Sequence, residues 1–187
     1  VGMLYNVQLL RYAGENGVSS YGVLMYVSMI FSAMFIGFSI GSAPVVSYHY
    51  GAENHDELKS LLRKSAIVLS CFSIAMFVLS QLLAYPLSQL FVGYDEELLD
   101  MTQHAFYIYS YSFLFMGFAI YSSSFFTALN DGLTSALISF LRTLVFQVGA
   151  VLLLPAMFEL DGIWYSIVVA EVMAVAVSAV FLVAKRK

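Results

Sequence analysis

Ile36-Gly37-Phe38-Ser39-Ile40-Gly41-Ser42-Ala43-Pro44-Val45-Val46-Ser47-Tyr48-His49-Tyr50-Gly51-Ala52-Glu53-Asn54 is the stretch that decides the fold. A long apolar run precedes it, and the polarity changes within a few residues after it. Gly37 and Gly41, four apart, share one helix face and predict close approach of a neighbouring helix. Pro44 lacks an N–H and clashes with the preceding turn, so a kink or helix end is expected there. Gly51, followed by Asn54 and Asp56, predicts a tight exit into a new helix start. This is the pattern of a membrane helix that ends at an aqueous surface.

The composition extends that reading to the whole chain. Of 187 residues, 61% are hydrophobic and 11% charged, and the mean hydropathy is +0.86. Soluble domains carry about 25% charged residues, so this chain has too little polar surface for water. Its apolar runs of roughly 20 residues are continuous, which predicts helices and disfavours a closed barrel. The expected fold class is all-α integral membrane: a helical bundle of five complete transmembrane helices plus the end of another. The spans are placed at about residues 1–12 (partial), 21–46, 62–90, 102–129, 133–157 and 163–184. Glycine, asparagine and aspartate punctuate the links, most clearly at Asn130-Asp131-Gly132. The first segment is too short to span and begins without Met, so the chain is expected to be a piece of a longer protein.

Charge placement predicts an orientation. One side of the membrane collects Lys59, Arg63, Lys64, Lys185, Arg186 and Lys187, with Arg142 nearest it. The other has Arg11 alone against Glu15, Asp95, Glu96, Glu97, Asp100, Glu159 and Asp161. The positive-inside rule makes the first side, and the C-terminus, cytoplasmic in a cell (inner) membrane. No basic patch with interleaved aromatics points to nucleic acid. Cys71 is the only cysteine and reads as a small packed hydrophobe. Neither metal-ligand spacing nor a catalytic signature is visible, so an enzyme is not expected and no cofactor is implied.

Ionisable groups within the spans cost roughly 2.5–3.5 kcal/mol each at a helix centre, so they are the first candidates for a site. Glu171 is the deepest. Two readings stay open for it: a carboxylate on the ion or substrate pathway, or a carboxyl bonded to a neighbouring helix. Arg142 lies nearer a helix end, and a snorkelling or packing role is expected. Gln147 and Gln81 are placed to hydrogen-bond between helices, Gln147 also as a pathway residue. The third span is rich in hydroxyls and aromatics: Tyr107, Tyr111, Ser122 and Phe125 fall close to one helical face. Such a face suits flat cationic molecules, with Met25, Met29 and Met34 as an adaptable wall.

These motifs carry a family resemblance. Gly37-x-x-x-Gly41-x-x-Pro44 through Ala52 resembles the eighth-helix exit of multidrug and toxic compound extrusion (MATE) transporters. Ala128-Leu129-Asn130-Asp131-Gly132 with Leu141-Arg142, and Gly162-Ile163-Trp164 with Ala170-Glu171, are similar to that family's tenth-to-twelfth helices. The resemblance covers essentially the whole chain and implies a MATE-type C-terminal lobe. It further implies a cation-coupled antiporter, driven by Na⁺ or H⁺, that exports amphipathic compounds by alternating access. The implied partners are membrane lipid, the N-terminal lobe of the same protein, and cationic or amphipathic small molecules. Met116 stands near the place where one sodium-coupled branch has an acidic residue. A lipid-linked precursor flippase of the same superfamily and a non-transporting membrane scaffold are the alternative expectations.

Overall fold

A computed structural model describes residues 1–185; Arg186 and Lys187, counted above with the cytoplasmic charges, lie outside the described residues. The chain forms α1 (Gly2–Gly51), α2 (His55–Val92), α3 (Glu96–Tyr109), α4 (Phe113–Ala128), α5 (Gly132–Phe140) and α6 (Val148–Ala184). A 3-10 turn (Ser110–Ser112) joins α3 to α4, and a π-helical segment (Leu141–Gln147) joins α5 to α6. The helices Gly2–Gly51, His55–Val92 and Gly132–Ala184 are long and apolar enough to cross a membrane.

Local chemistry sets the breaks. Gly14 (φ 63°, ψ −149°) interrupts α1 in a backbone region that is essentially open only to glycine. It separates residues 2–13 from 15–51, so the turn expected over residues 13–20 shrinks to one residue. Asn54, Asp95 and Asp131 cap the following helices by accepting from the N–H groups of Glu57, Leu98 and Thr134. Asn130 turns at φ 59°, as its residue type and position predict. Glu159 (φ 55°, ψ −130°) breaks α6, and a non-glycine residue there stores about 1–3 kcal/mol of strain.

Pro44 does not end its helix. α1 runs on to Gly51 because contacts beyond the proline hold it on course: Val46 is fully buried, and Ser47 Oγ donates to the Ala128 carbonyl at 3.0 Å. Gly37 and Gly41 are exposed, and a Cβ built on either would meet nothing within 4 Å, so neither is a close contact within this chain. The close approach lies at Gly117, where a Cβ would sit 2.4 Å from the Phe35 ring. That pair seats α1 on α4.

α4 is the hub, touching α1, α2, α5 and α6. α2 presents Ser65, Ser73, Ser80 and Ser88 inward, and small residues let helices pack closely where lipid supplies no hydrophobic drive. Gln81 spans from α2 to the Tyr107 carbonyl at 3.2 Å and to Ser110 Oγ at 2.6 Å. The start of the chain packs on its last helix: Tyr5 and Ser166 share a hydrogen bond of 2.8 Å, and Gln8 donates to the Val151 carbonyl at 3.2 Å.

The loops segregate to two ends as the charge pattern requires. At one, Lys185 binds Asp131 and Thr134, drawing the end of α6 onto the Asn130 turn. The ammonium beside it, with Thr134, lowers the Asp131 carboxyl to about 2. At the other end His104 Nε2 meets Asp161 Oδ1 at 2.9 Å.

Candidate functional site

A cavity of about 490 Å³ opens between α1, α4, α6 and the π-helical segment. Its polar wall holds Glu171, Arg142, Gln147, Tyr21 and Tyr109, with Ser28, Ser32, Ser123 and Ser139; Met25, Ile36, Met116 and Ile138 supply the apolar wall. Glu171 and Arg142 form a bidentate pair. Arg142 Nε lies 3.1 and 3.0 Å from the two carboxylate oxygens, and Nη2 lies 2.7 Å from Oε1. Glu171 is 1% exposed, so the guanidinium is what makes its burial tolerable.

Of the snorkelling and packing roles expected for Arg142, the structure shows the second: its side chain turns inward onto Glu171. The cause is the local backbone. A π turn is wider than an α turn and breaks the register of the helix that contains it. Arg142 and Gln147, five apart, both line the cavity, and no residue of this segment is buried. Fork-shaped guanidinium geometry then matches the carboxylate. The pairing was also readable from depth. Arg142 lies about 16 Å along the helix from Asp131, and Glu171 about 21 Å from Lys185, at 1.5 Å per residue. Since Lys185 contacts Asp131, the two charges fall within one arginine's reach of the same level.

The other residues singled out from sequence divide between settings. Gln147 and Met25 line the cavity, whereas Met29 and Met34 point outward. Tyr107 and Tyr111 are 39% and 48% exposed, and Tyr111 packs on Phe77. Ser122 and Phe125 are buried on the opposite side of α4 from the cavity. The expected single face is broken by the Ser110–Ser112 turn. A 3-10 residue advances ~120° against ~100° in an α-helix, so three of them add about 60°. Tyr109, one of the third-span hydroxyls read from the sequence, and Tyr21, which was not singled out, take the cavity positions; Tyr109 donates to Ser28 Oγ at 3.0 Å.

Three polar groups stay open to this space. Arg142 Nη1, the Tyr21 hydroxyl and the Gln147 amide make no hydrogen bond among the described residues and are not sealed by neighbours. The charges cancel as a pair, yet the outer edge of the guanidinium still offers donors. The cavity can therefore hold a polar or charged group against an aromatic and methionine wall.

An all-α, multi-pass membrane bundle with one buried charge pair beside an open polar cavity has the anatomy of a transporter lobe. The sequence matches the MatE family over residues 1–153, and the chain belongs to that family. Its fold is that of solved MATE structures. An outward-facing multidrug resistance MATE transporter of the MOP superfamily matches with TM-score 0.92 and 20% identity over 98% of this chain and 42% of that one. An inward-facing structure of such a transporter matches with TM-score 0.90 and 21% identity over 98% and 42%. A MOP superfamily transporter from Pyrococcus furiosus, described as having a binding pocket of reverse polarity that suggests a different function, matches with TM-score 0.85 and 21% identity over 99% and 43%. The chain thus spans about 42% of the length of the solved structures it matches. No curated protein matches it.

Proposed function

We propose that this chain is the C-terminal lobe of a cation-coupled antiporter that exports cationic or amphipathic organic compounds by alternating access. A second lobe would supply the facing half of the path, and Na⁺ or H⁺ would drive it. The observation that carries the reading is the polar cavity with its Arg142–Glu171 pair, set inside a largely apolar bundle of the MatE family. The near-equal likeness to an outward-facing and an inward-facing relative supports a lobe that moves as one unit. The charge distribution supports a cell (inner) membrane setting with the C-terminus in the cytoplasm.

Glu171 acts in this scheme through its partner. A coupling cation or a cationic substrate entering the cavity competes with the guanidinium for the carboxylate, and the pair's release frees the π-helical segment from the part of α6 beyond the break at Glu159. Tyr21 and Tyr109 offer faces to a cationic body, while Gln147 presents an amide to its polar groups.

Dye efflux from cells expressing the full-length protein tests this reading. Efflux should collapse when the Na⁺ or H⁺ gradient is removed; efflux that persists without either gradient overturns it. Glu171→Gln should lower transport more than it lowers the folded yield, and equal loss of both returns Glu171 to a structural role. The open edge of Arg142 favours one other reading, a flippase for lipid-linked precursors, which predicts movement of an anionic lipid and no dye efflux.

A further inference from the structure

We infer that the lobe carries a binding site for an anionic phospholipid in the cleft between α2 and α6. Both helices pack on α4 but barely on each other. The gap opens as a cleft of about 830 Å³, floored by Phe118, Tyr121 and Ser122 of α4. A second hollow of about 340 Å³ adjoins it and shares Lys59, Leu62 and Leu182.

The chemistry of the cleft runs from charged to apolar along its length. Lys59 and Arg63 stand at its mouth, one helical turn apart on α2. Among the described residues neither has an ion-pair partner, although other cations nearby do: Lys64 binds Glu57, and Lys185 binds Asp131. Asp56 is the one carboxylate at the mouth, so two cations face one anion. Deeper, Leu62, Leu69, Phe118 and Leu182 make a slot that fits an acyl chain. The floor is not wholly apolar. The Tyr121 ring lines the cleft, with its hydroxyl buried away from it. The Ser122 hydroxyl lines it too, with no hydrogen bond among the described residues.

An anionic phospholipid satisfies each of these features. Its phosphate meets Lys59 and Arg63 at the level where headgroups lie, and its acyl chain fills the slot between the helices. An ester carbonyl accepts from the Ser122 hydroxyl below the mouth. Basic pockets between membrane helices near the surface recognise lipid headgroups in this way. A zwitterionic lipid brings an ammonium to the same place and loses most of the attraction.

Native mass spectrometry of the full-length protein with phosphatidylglycerol and phosphatidylcholine in equal amounts tests the site. Retention should favour phosphatidylglycerol, and the preference should fall about fivefold for each of Lys59→Ala and Arg63→Ala. Lys64→Ala removes the same charge outside the cleft and should leave the preference unchanged. Ala66→Trp, which fills the exposed cleft wall without removing a cation, should lower retention of both lipids. Equal loss from Lys64→Ala and Lys59→Ala overturns the site. So does full retention in Ala66→Trp, which would mean that the lipid sits on the surface or that another part of the protein covers the cleft.

Discussion

The two faces of α4 border two hollows that solve the cost of charge in a membrane differently. Met116, Ala119, Ile120 and Ser123 face the cavity of the Arg142–Glu171 pair. Phe118, Tyr121, Ser122 and Phe125 face the α2–α6 cleft and its adjoining hollow. Each set follows the spacing i, i+3, i+4, i+7, so one helix serves as the partition. On the first face a deep cation is committed to a carboxylate that has almost no exposure. On the second, cations at the rim keep water and headgroups as partners. A charge deep in the bundle must be matched within the protein, whereas a charge at the mouth stays available for a ligand.

The sharpest way to break that contrast is to remove one member of the committed pair. Arg142→Ala should destabilise the protein by about 3–5 kcal/mol, because it leaves Glu171 buried without a counter-charge. Thermal melting in detergent reads this directly. The double variant Arg142→Met with Glu171→Leu should regain most of the loss while abolishing transport. Lys59→Ala, on the opposite face, should change the melting temperature little; a loss as large as that of Arg142→Ala would erase the distinction between the faces.

The seat of the partition comes next in size. Gly117→Leu should cost about 1–3 kcal/mol by forcing the Phe35 ring aside. Phe35→Ala in the same chain should relieve part of that cost. Gly37→Leu, made where no neighbour lies within 4 Å, should leave the folded yield of the lobe unchanged.

A smaller effect separates tyrosines inside the cavity from those outside it. Tyr21→Phe should lower efflux severalfold, since it deletes a hydroxyl open to the cavity. Tyr107→Phe and Tyr111→Phe should stay near wild type in the same assay, because both rings lie away from that space. The smallest effect concerns the tie between α6 and the Asn130 turn. The Asp131 carboxyl is held at about 2, below its ordinary 3.8, so its contribution is complete above pH ~4 and is lost as the pH falls towards 2. Melting at pH 6 and at pH 3 should show a slightly smaller acid loss for Asp131→Asn than for wild type.

How far the sequence led depended on the range of the interaction. The helix start at Asn54 or Asp56 and the turn at Asn130-Asp131-Gly132 are local properties, and the structure has Asn54 as the cap and Asn130 at positive φ. The Gly117–Phe35 contact and the Arg142–Glu171 pair join separate helices, so periodicity alone does not reveal them. Tyr107 and Tyr111 left the expected face because three residues of 3-10 helix shift the phase, and nothing in Ser110-Tyr111-Ser112 announces that change of pitch. Of the kink or helix end expected at Pro44, the helix end does not occur, and tertiary contacts at Val46 and Ser47 lie beyond it on the same helix.

The bond between Tyr5 and Ser166 has a consequence in time. Its two ends are separated by 161 positions along the chain. At a synthesis rate of about 5–20 residues per second, Tyr5 emerges roughly 8–30 s before its partner exists. For most of that interval residues 2–13 lack both this hydrogen bond and the one from Gln8 to the Val151 carbonyl, and are held across Gly14 by nearby contacts such as the Tyr5–Tyr21 stack. This seam between α1 and α6 therefore closes late. A chaperone or insertase that shelters early segments would matter most for these twelve residues.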